Sequence, residues 1–244
     1  MKTILAITLS ALLIFLFVFG FLAYFGYIWF VNPSYDKYPV RGIDVSEHQG
    51  DIDWDEVRRA GNTFAFIKAT EGMDHKDACF VDNWVDSADA GFVRGAYHFF
   101  TFRSPGLEQA KNFIATVPVD GASLSPAIDI EFGGNSKEIP EKEVFQEELK
   151  IFLREIEDHY HRRPILYVTY DSYEKYIAGD FWDCIIWIRD LYDVPELSDG
   201  RYWSFWQYCP RGRVDGINGY VDLNIFNGNE REFEDMMKQT TDKG

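Results

Sequence analysis

The chain has 244 residues, 46% of them hydrophobic and 17% aromatic, and its 24 basic and 40 acidic side chains give a formal net charge of −16. This apolar content excludes an intrinsically disordered chain, and chains of about 200 to 250 residues routinely fold into one barrel domain. Because the negative charge repels phosphate backbones, we expect no nucleic-acid partner.

An uncharged apolar segment comes first. No charged side chain lies between Thr3 and Val31, a run longer than the roughly 20 residues that cross a bilayer. A cleavable signal peptide has an apolar core of about 7 to 15 residues and a small-residue cleavage site, whereas this run ends in an aromatic cluster typical of a membrane interface. We predict a retained signal anchor, a transmembrane helix, at residues 1–31 and a linker at residues 32–40; a cleaved signal peptide is the alternative.

The orientation of this anchor follows from few charges. Lys2 is the only charged side chain before Asp36, and the positive-inside rule places the more basic flank in the cytoplasm. The opposite flank carries Lys37 and Arg41 as well as Asp36, so the bias is small. We predict a single-pass membrane protein whose remaining residues lie outside the cytoplasm.

Apolar β-type runs and helical patterns alternate after residue 40, which favours parallel strands with helical crossovers. The predicted strands cover residues 42–45, 64–68, 93–99, 127–132, 165–169, 184–188, 203–208 and 221–226. The predicted helices lie near residues 54–60, 82–90, 106–116, 141–158 and 172–178. No glycine-rich phosphate loop follows a strand, which argues against a nucleotide-binding open sheet. We predict an α/β barrel of the TIM type at residues 41–228, followed by a polar tail at residues 229–244 with some helix-forming character.

Two acidic residues share one face of the predicted strand at residues 127–132. Side chains at i and i+2 point to the same side of a strand, so Asp129 and Glu131 point one way and Ile128 and Ile130 the other. A like charge and apolar surroundings both raise the pKa of a carboxyl group. A protonated acid beside a second carboxylate is what glycoside hydrolysis requires; the alternative is that both residues cap neighbouring backbone.

Two further acids complete the candidate set. Asp44 lies near the end of a short strand, where a barrel presents functional groups on its C-terminal face. Asp222 comes at the start of the last strand. If Asp222 faces the same cleft, that strand must run antiparallel to its neighbours. A purely structural role is the alternative for each.

Sequence blocks spread over residues 41–228 resemble those of glycoside hydrolase family 25, the Chalaropsis-type lysozymes. The blocks are GIDVSEHQGDIDW, FAFIKATEG, RGAYHFF, PAIDIEF, ILYVTY, IIWIRD and FWQYCPRGRVDGINGYVDLNIF. The resemblance implies a flattened barrel of eight strands and five helices with an acidic groove at the C-terminal ends of the strands. It further implies cleavage of the β-1,4 bond after N-acetylmuramic acid in peptidoglycan, with no cofactor.

The resemblance also assigns roles to the acids. By position, Glu131 corresponds to the proton donor and Asp129 to the residue that orients the 2-acetamido group of the substrate. Asp44 and Asp222 correspond to the other two carboxylates of the site. The strand spacing lies between the separations typical of retaining and inverting enzymes, and the resemblance favours retention through the substrate's own acetamide.

Other side chains are candidates for holding the sugar. Tyr97, Tyr167 and Trp206 lie in or beside the matching strands, and aromatic faces pack on pyranose rings. Gln207 offers an amide for hydroxyl or acetamide contacts. Core packing is the alternative for each of these residues.

Four more polar residues are assigned away from catalysis. Lys68 and Glu71 are predicted to form a buried ion pair that supports the floor of the site. His48 and His98 lack the spacing of metal-ligand motifs, so we expect no metal site.

The resulting hypothesis is a monomeric, membrane-anchored muramidase that acts on peptidoglycan outside the cytoplasm. Three alternatives remain open at this point. One is a glycan-binding module that does not hydrolyse, another is an endolysin held inactive until its helix is released, and the third is a metal-dependent phosphodiesterase barrel.

Overall fold

In the computed structural model, which describes residues 2–239, one β-sheet closes on itself to form a barrel. The strands are β1 (Arg41–Val45), β2 (Phe64–Glu71), β3 (His75–Lys76), β4 (Val93–Phe99), β5 (Ala127–Ile130), β6 (Ile165–Val168), β7 (Ile185–Arg189), β8 (Phe205–Gly212) and β9 (Val221–Phe226). The helices are α1 (Lys2–Tyr24), α2 (Trp54–Arg59), α3 (Phe80–Asp89), α4 (Gly106–Ile114), α5 (Lys142–Tyr160), α6 (Tyr170–Ser172) and α7 (Glu230–Gln239). A π-helical stretch, Tyr173–Ile177, continues α6.

The eight long strands form the ring, in the order β1-β9-β8-β7-β6-β5-β4-β2, and pairing of β1 with β2 closes it. The short β3 only extends β2 as a hairpin. The predicted TIM-like barrel of eight strands is therefore confirmed, and its five predicted helices correspond to α2 to α6. Strand β9 runs antiparallel to both β1 and β8, as the position of Asp222 required.

Strand alternation divides the core into two apolar layers. Inward-facing residues near the N-terminal ends of the parallel strands fill the barrel, where the rings of Phe66 and Trp187 stack with centroids 4.2 Å apart. Outward-facing residues such as Ile128 and Ile130 pack against the surrounding helices. Because apolar side chains fill the lower part of the barrel, its polar inward-facing residues are concentrated at the C-terminal ends of the strands.

The C-terminal helix closes the opposite end of the barrel. Phe233 of α7 is buried, and its ring lies 5.7 Å from that of Phe64 and 5.2 Å from that of Phe226. The expected polar tail at residues 229–244 is thus a plug as far as residue 239; residues 240–244 lie outside the described residues.

The apolar N-terminal helix is exposed along its length and is long enough to cross a membrane over Thr3–Tyr24. It ends at Tyr24 rather than at residue 31. Trp29 and Val31 pack against the outer apolar layer of the barrel, and Pro33 is buried. The end of the predicted anchor and part of the predicted linker therefore lie against the barrel, because their apolar side chains pack there.

Candidate active site

A cleft of about 380 Å³ opens at the C-terminal ends of the barrel strands. The structure brings the four predicted carboxylates together in it: Asp44, Asp129, Glu131 and Asp222. Each comes from a strand end that faces this side of the barrel, the place where barrels of this type carry their functional groups.

Asp129 and Glu131 line the cleft from β5 and the residue after it, as the i, i+2 pattern predicted. Asp129 is 9% exposed, and its Oδ1 has no hydrogen-bond partner among the described residues. Glu131 is more open, and its Oε2 lies 3.1 Å from an Nη of Arg189 at the end of β7. The more accessible acid is thus held by a cation, whereas the more buried acid has a buried oxygen without a partner among the described residues.

Asp44 and Asp222 form a second pair, directly opposite each other in the antiparallel ladder of β1 and β9. The two carboxyl groups are hydrogen bonded to each other. Oδ2 of Asp44 also accepts from Nε2 of Gln207 at 2.9 Å and from Nδ2 of Asn224 at 2.7 Å. These donors favour the charged form of Asp44, so the proton shared by the pair belongs on Asp222.

The pKa of all four carboxyl groups is raised, and burial is the largest cause for each. The negative charges of Glu131 and Asp44 raise the pKa of Asp129 further, to well above its usual range. The pKa of Glu131 is raised less, because the Arg189 guanidinium opposes the effect of burial. Burial therefore contributes more to the raised pKa values of these four carboxyl groups than the repulsion between them.

The sequence profile of the family described as "Glycosyl hydrolases family 25" matches residues 43–217. The chain belongs to this family. The profile match stops before Asp222, and the structure supplies that residue by placing it opposite Asp44. Two curated relatives and one solved structure illustrate the similarity.

Lysozyme M1 of Streptomyces globisporus is 34% identical over 213 residues, covering 81% of this chain and 71% of that protein. The N,O-diacetylmuramidase of Chalaropsis sp. is 30% identical over 206 residues, covering 77% of this chain and 96% of that protein. A family 25 glycosyl hydrolase from Bacillus anthracis superimposes with a TM-score of 0.80 at 44% identity, covering 83% of this chain and 95% of that chain.

Three of the four predicted sugar-binding residues line the cleft of this family 25 enzyme. The hydroxyl group of Tyr167 donates to Oε1 of Gln207 at 2.9 Å, which orients the Gln207 amide toward Asp44. Tyr97 lies on the cleft wall beside them. Burial raises the pKa of both tyrosines well above its usual range, so their hydroxyl groups remain hydrogen-bond donors.

The placement of Trp206 in the sugar groove is wrong. Its side chain is 0% exposed, packs in the layer outside the barrel, and donates from Nε1 to the Asp190 carbonyl at 2.7 Å. Neighbours in a strand point to opposite faces. Since Gln207 faces the cleft, Trp206 must face outward.

Lys68 and Glu71 form the expected ion pair, with Nζ and Oε2 2.8 Å apart. Both residues line the cleft. The side chain of Glu71 is 37% exposed, so the ion pair is only partly buried. His98 is buried between Thr70 and Gln109, which bond its two ring nitrogens, and burial lowers its pKa to about 3. His98 is thus the hydrogen-bonded interior residue that the sequence suggested, whereas His48 is exposed at the cleft rim.

Sequence reasoning missed one residue that lines the family 25 cleft and one buried residue that supports it. Arg189 ends β7 in register with Gln207, a position from which a side chain reaches the cleft. Asn224 follows Asp222 by two residues on β9, and its Oδ1 accepts from Nε1 of Trp187 at 2.8 Å. Both positions carry a signal in the sequence, since one ends a barrel strand and the other shares a strand face with a candidate acid.

Proposed function

We propose that this family 25 enzyme is a membrane-anchored muramidase that hydrolyses the β-1,4 bond after N-acetylmuramic acid in peptidoglycan, outside the cytoplasm. The observation that carries the proposal is the convergence of four buried carboxyl groups, in two pairs, on one cleft. The names of the lysozyme and N,O-diacetylmuramidase relatives support the choice of substrate. The presence of all four acids in the cleft favours hydrolysis over glycan binding without cleavage.

In the proposed mechanism Glu131 is the general acid. Its carboxyl proton passes to the glycosidic oxygen as the bond from that oxygen to the sugar C1 breaks. The acetamide oxygen of the same sugar forms a new bond to C1 from the opposite face. Asp129 accepts a hydrogen bond from the acetamide N–H and stabilises the positive charge of the cyclic intermediate.

The second step returns the enzyme to its starting state. The Glu131 carboxylate takes a proton from water, and the water oxygen bonds to C1 as the acetamide oxygen leaves. Two inversions at C1 give net retention. Asp44 and Asp222 supply negative charge and a proton from β1 and β9, and Gln207, Tyr97 and Tyr167 hold the sugar.

One proton must be on Glu131, and not on Asp129, when the bond breaks. The contact with Arg189 favours the charged form of Glu131, while burial favours the neutral form of Asp129. A substrate that draws Arg189 away from Glu131 removes this preference and lets Glu131 take the proton. Asp129 is then the carboxylate that the acetamide needs.

Digestion of purified peptidoglycan by the full-length protein in detergent micelles tests the assignment. We expect products with reducing N-acetylmuramic acid ends, identified by mass spectrometry after borohydride reduction, and a β anomer as the first product seen by NMR. Glu131→Gln is the matched inactive control. Reducing N-acetylglucosamine ends would indicate a glucosaminidase, anhydro ends a lytic transglycosylase, and binding without products a glycan-binding module.

A further inference from the structure

The membrane-spanning helix meets the barrel at the cleft end. Strand β8 runs parallel to β7, so its C-terminal end lies at the cleft end of the barrel. The loop at residues 213–220, which follows β8, lies at the same end. The Tyr24 carbonyl accepts from Arg211 and from the hydroxyl group of Tyr220, both at 3.2 Å. The Phe25 carbonyl accepts from Nε of Arg213 at 2.7 Å.

These contacts form a joint and not a loose tether. The last carbonyl groups of a helix lack partners within the helix, and cations near them also favour the helix dipole. Arg211 and Arg213 supply both effects, and their guanidinium groups lie 5.4 Å from the Tyr24 ring and 5.0 Å from the Tyr27 ring. Gly26 has a φ of 72°, and a Cβ there would lie 2.0 Å from the Arg211 carbonyl oxygen.

From this joint the chain runs down the outside of the barrel wall. Trp29 and Val31 pack on the outer layer, and the Pro33 carbonyl accepts a hydrogen bond from Arg41 at the start of β1. The Tyr38 ring lies 6.2 Å from that of Trp206. Residues 26–38 therefore cross the wall from the cleft end to the end where β1 begins.

This path reverses the orientation that chain order alone would give. Strand β1 begins at the end of the barrel opposite the cleft, so a short free linker would leave the cleft facing away from the membrane. The segment at residues 26–38 places the helix at the cleft end instead. Strands β8 and β9 and the loop at residues 213–220 form a hairpin that carries Asp222 into the cleft. The Tyr220 carbonyl of this hairpin accepts from Nε2 of the cleft residue Gln49 at 3.1 Å.

Exposed aromatic side chains surround the joint. Tyr27 is 63% exposed, Phe30 60% and Tyr192, in the loop after β7, 74%. The rings of Phe30 and Tyr192 lie 5.7 Å apart, so the anchor and the barrel contribute to one aromatic group. Tyrosine and other aromatic residues concentrate at the boundary between lipid and water.

The geometry points to a barrel held with its cleft end against the outer surface of the membrane, with Tyr27, Phe30 and Tyr192 in the interfacial layer. The enzyme then cleaves glycan strands that lie next to the bilayer, and not strands deeper in the wall. This inference rests on the proposed anchoring. It adds the direction in which the cleft faces.

Fluorescence quenching in lipid vesicles tests this orientation. The full-length protein is reconstituted in vesicles of phosphatidylethanolamine and phosphatidylglycerol that contain a headgroup spin-labelled lipid. A dye is attached at Asn218→Cys, in the hairpin loop, or at Gly121→Cys, in the loop before β5, each with Cys79→Ser and Cys184→Ser. The strand length separates the two positions by about 25 Å along the barrel, so we expect strong quenching at position 218 and little at position 121.

The double variant Arg211→Ser, Arg213→Ser removes the side chains that cap the helix and serves as the second arm. We expect it to lose the difference between the two probes while it cleaves soluble glycan fragments at the normal rate. In the protein that keeps Arg211 and Arg213, equal quenching of both probes or stronger quenching at position 121 would overturn the inference. Neither result would affect the proposed muramidase activity or the anchoring. Protein that washes off the vesicles in alkaline carbonate would overturn the anchoring, and the inference with it.

Discussion

The guanidinium group of Arg189 lies 3.1 Å from Glu131 and opposes the protonation that general acid catalysis requires. This contact lowers the pKa of Glu131, which burial and the charge of Asp44 raise. In the proposed mechanism, burial and Asp44 on one side and the cations Arg189 and Lys68 on the other therefore set the upper pH limit of the reaction. An acid catalyst is active below its pKa and loses its proton as the pH rises through that value.

Replacing Arg189 should move this limit. In Arg189→Gln the positive charge is gone, so the pKa of Glu131 rises and the alkaline limb of kcat/KM moves to higher pH. Arg189→Lys keeps the charge and should leave the limb near its original position. The pH dependence of kcat/KM on soluble peptidoglycan fragments measures both. A limb that moves to lower pH in Arg189→Gln would contradict the assignment of Glu131 as the acid.

Removing the transferable proton should have a larger effect. Glu131→Gln keeps the shape of the side chain, so turnover should fall by about 10² to 10⁴, the usual contribution of general acid catalysis, while glycan binding survives. Steady-state rates and equilibrium binding to peptidoglycan fragments separate the two. Asp171→Asn, exposed in the first turn of α6, is the matched control and should be silent. Near-normal turnover in Glu131→Gln would make Asp44 or Asp222 the next candidate.

Individual residues differ in how far the sequence predicts them. Asp129 and Glu131 were predicted from strand alternation, and the same rule applied to Trp206 and Gln207 would have excluded Trp206 from the cleft. The role of Arg189 depends on the distance between β5 and β7, which lie two strands apart in the sheet order. Such a distance follows from barrel curvature and not from local sequence pattern.

At the scale of elements, apolar runs predicted the eight barrel strands, and a place for Asp222 in the cleft predicted the antiparallel direction of β9. Helix α7 was harder to recognise. Its sequence is mostly charged, and only Phe233, Met236 and Met237 form an apolar stripe at helical spacing. Three apolar residues in a charged helix do not by themselves predict packing. They do so only when the barrel end opposite the cleft is known to expose apolar side chains that a helix can cover.

The plug should contribute to stability. Phe233 packs against Phe64, Phe205 and Phe226 at the closed end of the barrel. Phe233→Ala leaves a cavity there and should lower the free energy of unfolding by about 3 to 5 kcal/mol. Denaturant unfolding of the detergent-solubilised protein measures the loss, and the exposed neighbour Glu234→Ala is the control. A loss under 1 kcal/mol would mean that α7 lies on the barrel without closing it.

At the scale of the whole molecule, hydrogen bonds join the end of the apolar helix to the acidic barrel. The sequence predicted a helix and a domain with a linker between them, because charge and proline content change near residue 32. It could not predict that residues 26–38 cross the barrel wall, since that packing depends on Arg211, Arg213 and Tyr220, almost 200 residues away in the chain.

The placement of charges also predicts how the N-terminal helix is oriented across the membrane. Lys2 is the only charged side chain on the N-terminal flank, so the N-terminus should stay in the cytoplasm. The barrel domain should then be translocated and lie outside the cytoplasm. An alkaline phosphatase fused after Gly244 should therefore be active in intact cells, whereas a fluorescent protein that folds only in the cytoplasm should be dark. Lys2→Glu reverses the charge and should lower phosphatase activity at equal expression, because part of the population inserts the other way. A dark phosphatase with a bright fluorescent fusion would show a cytoplasmic barrel, and a soluble form starting near residue 30 would show that the helix is cleaved.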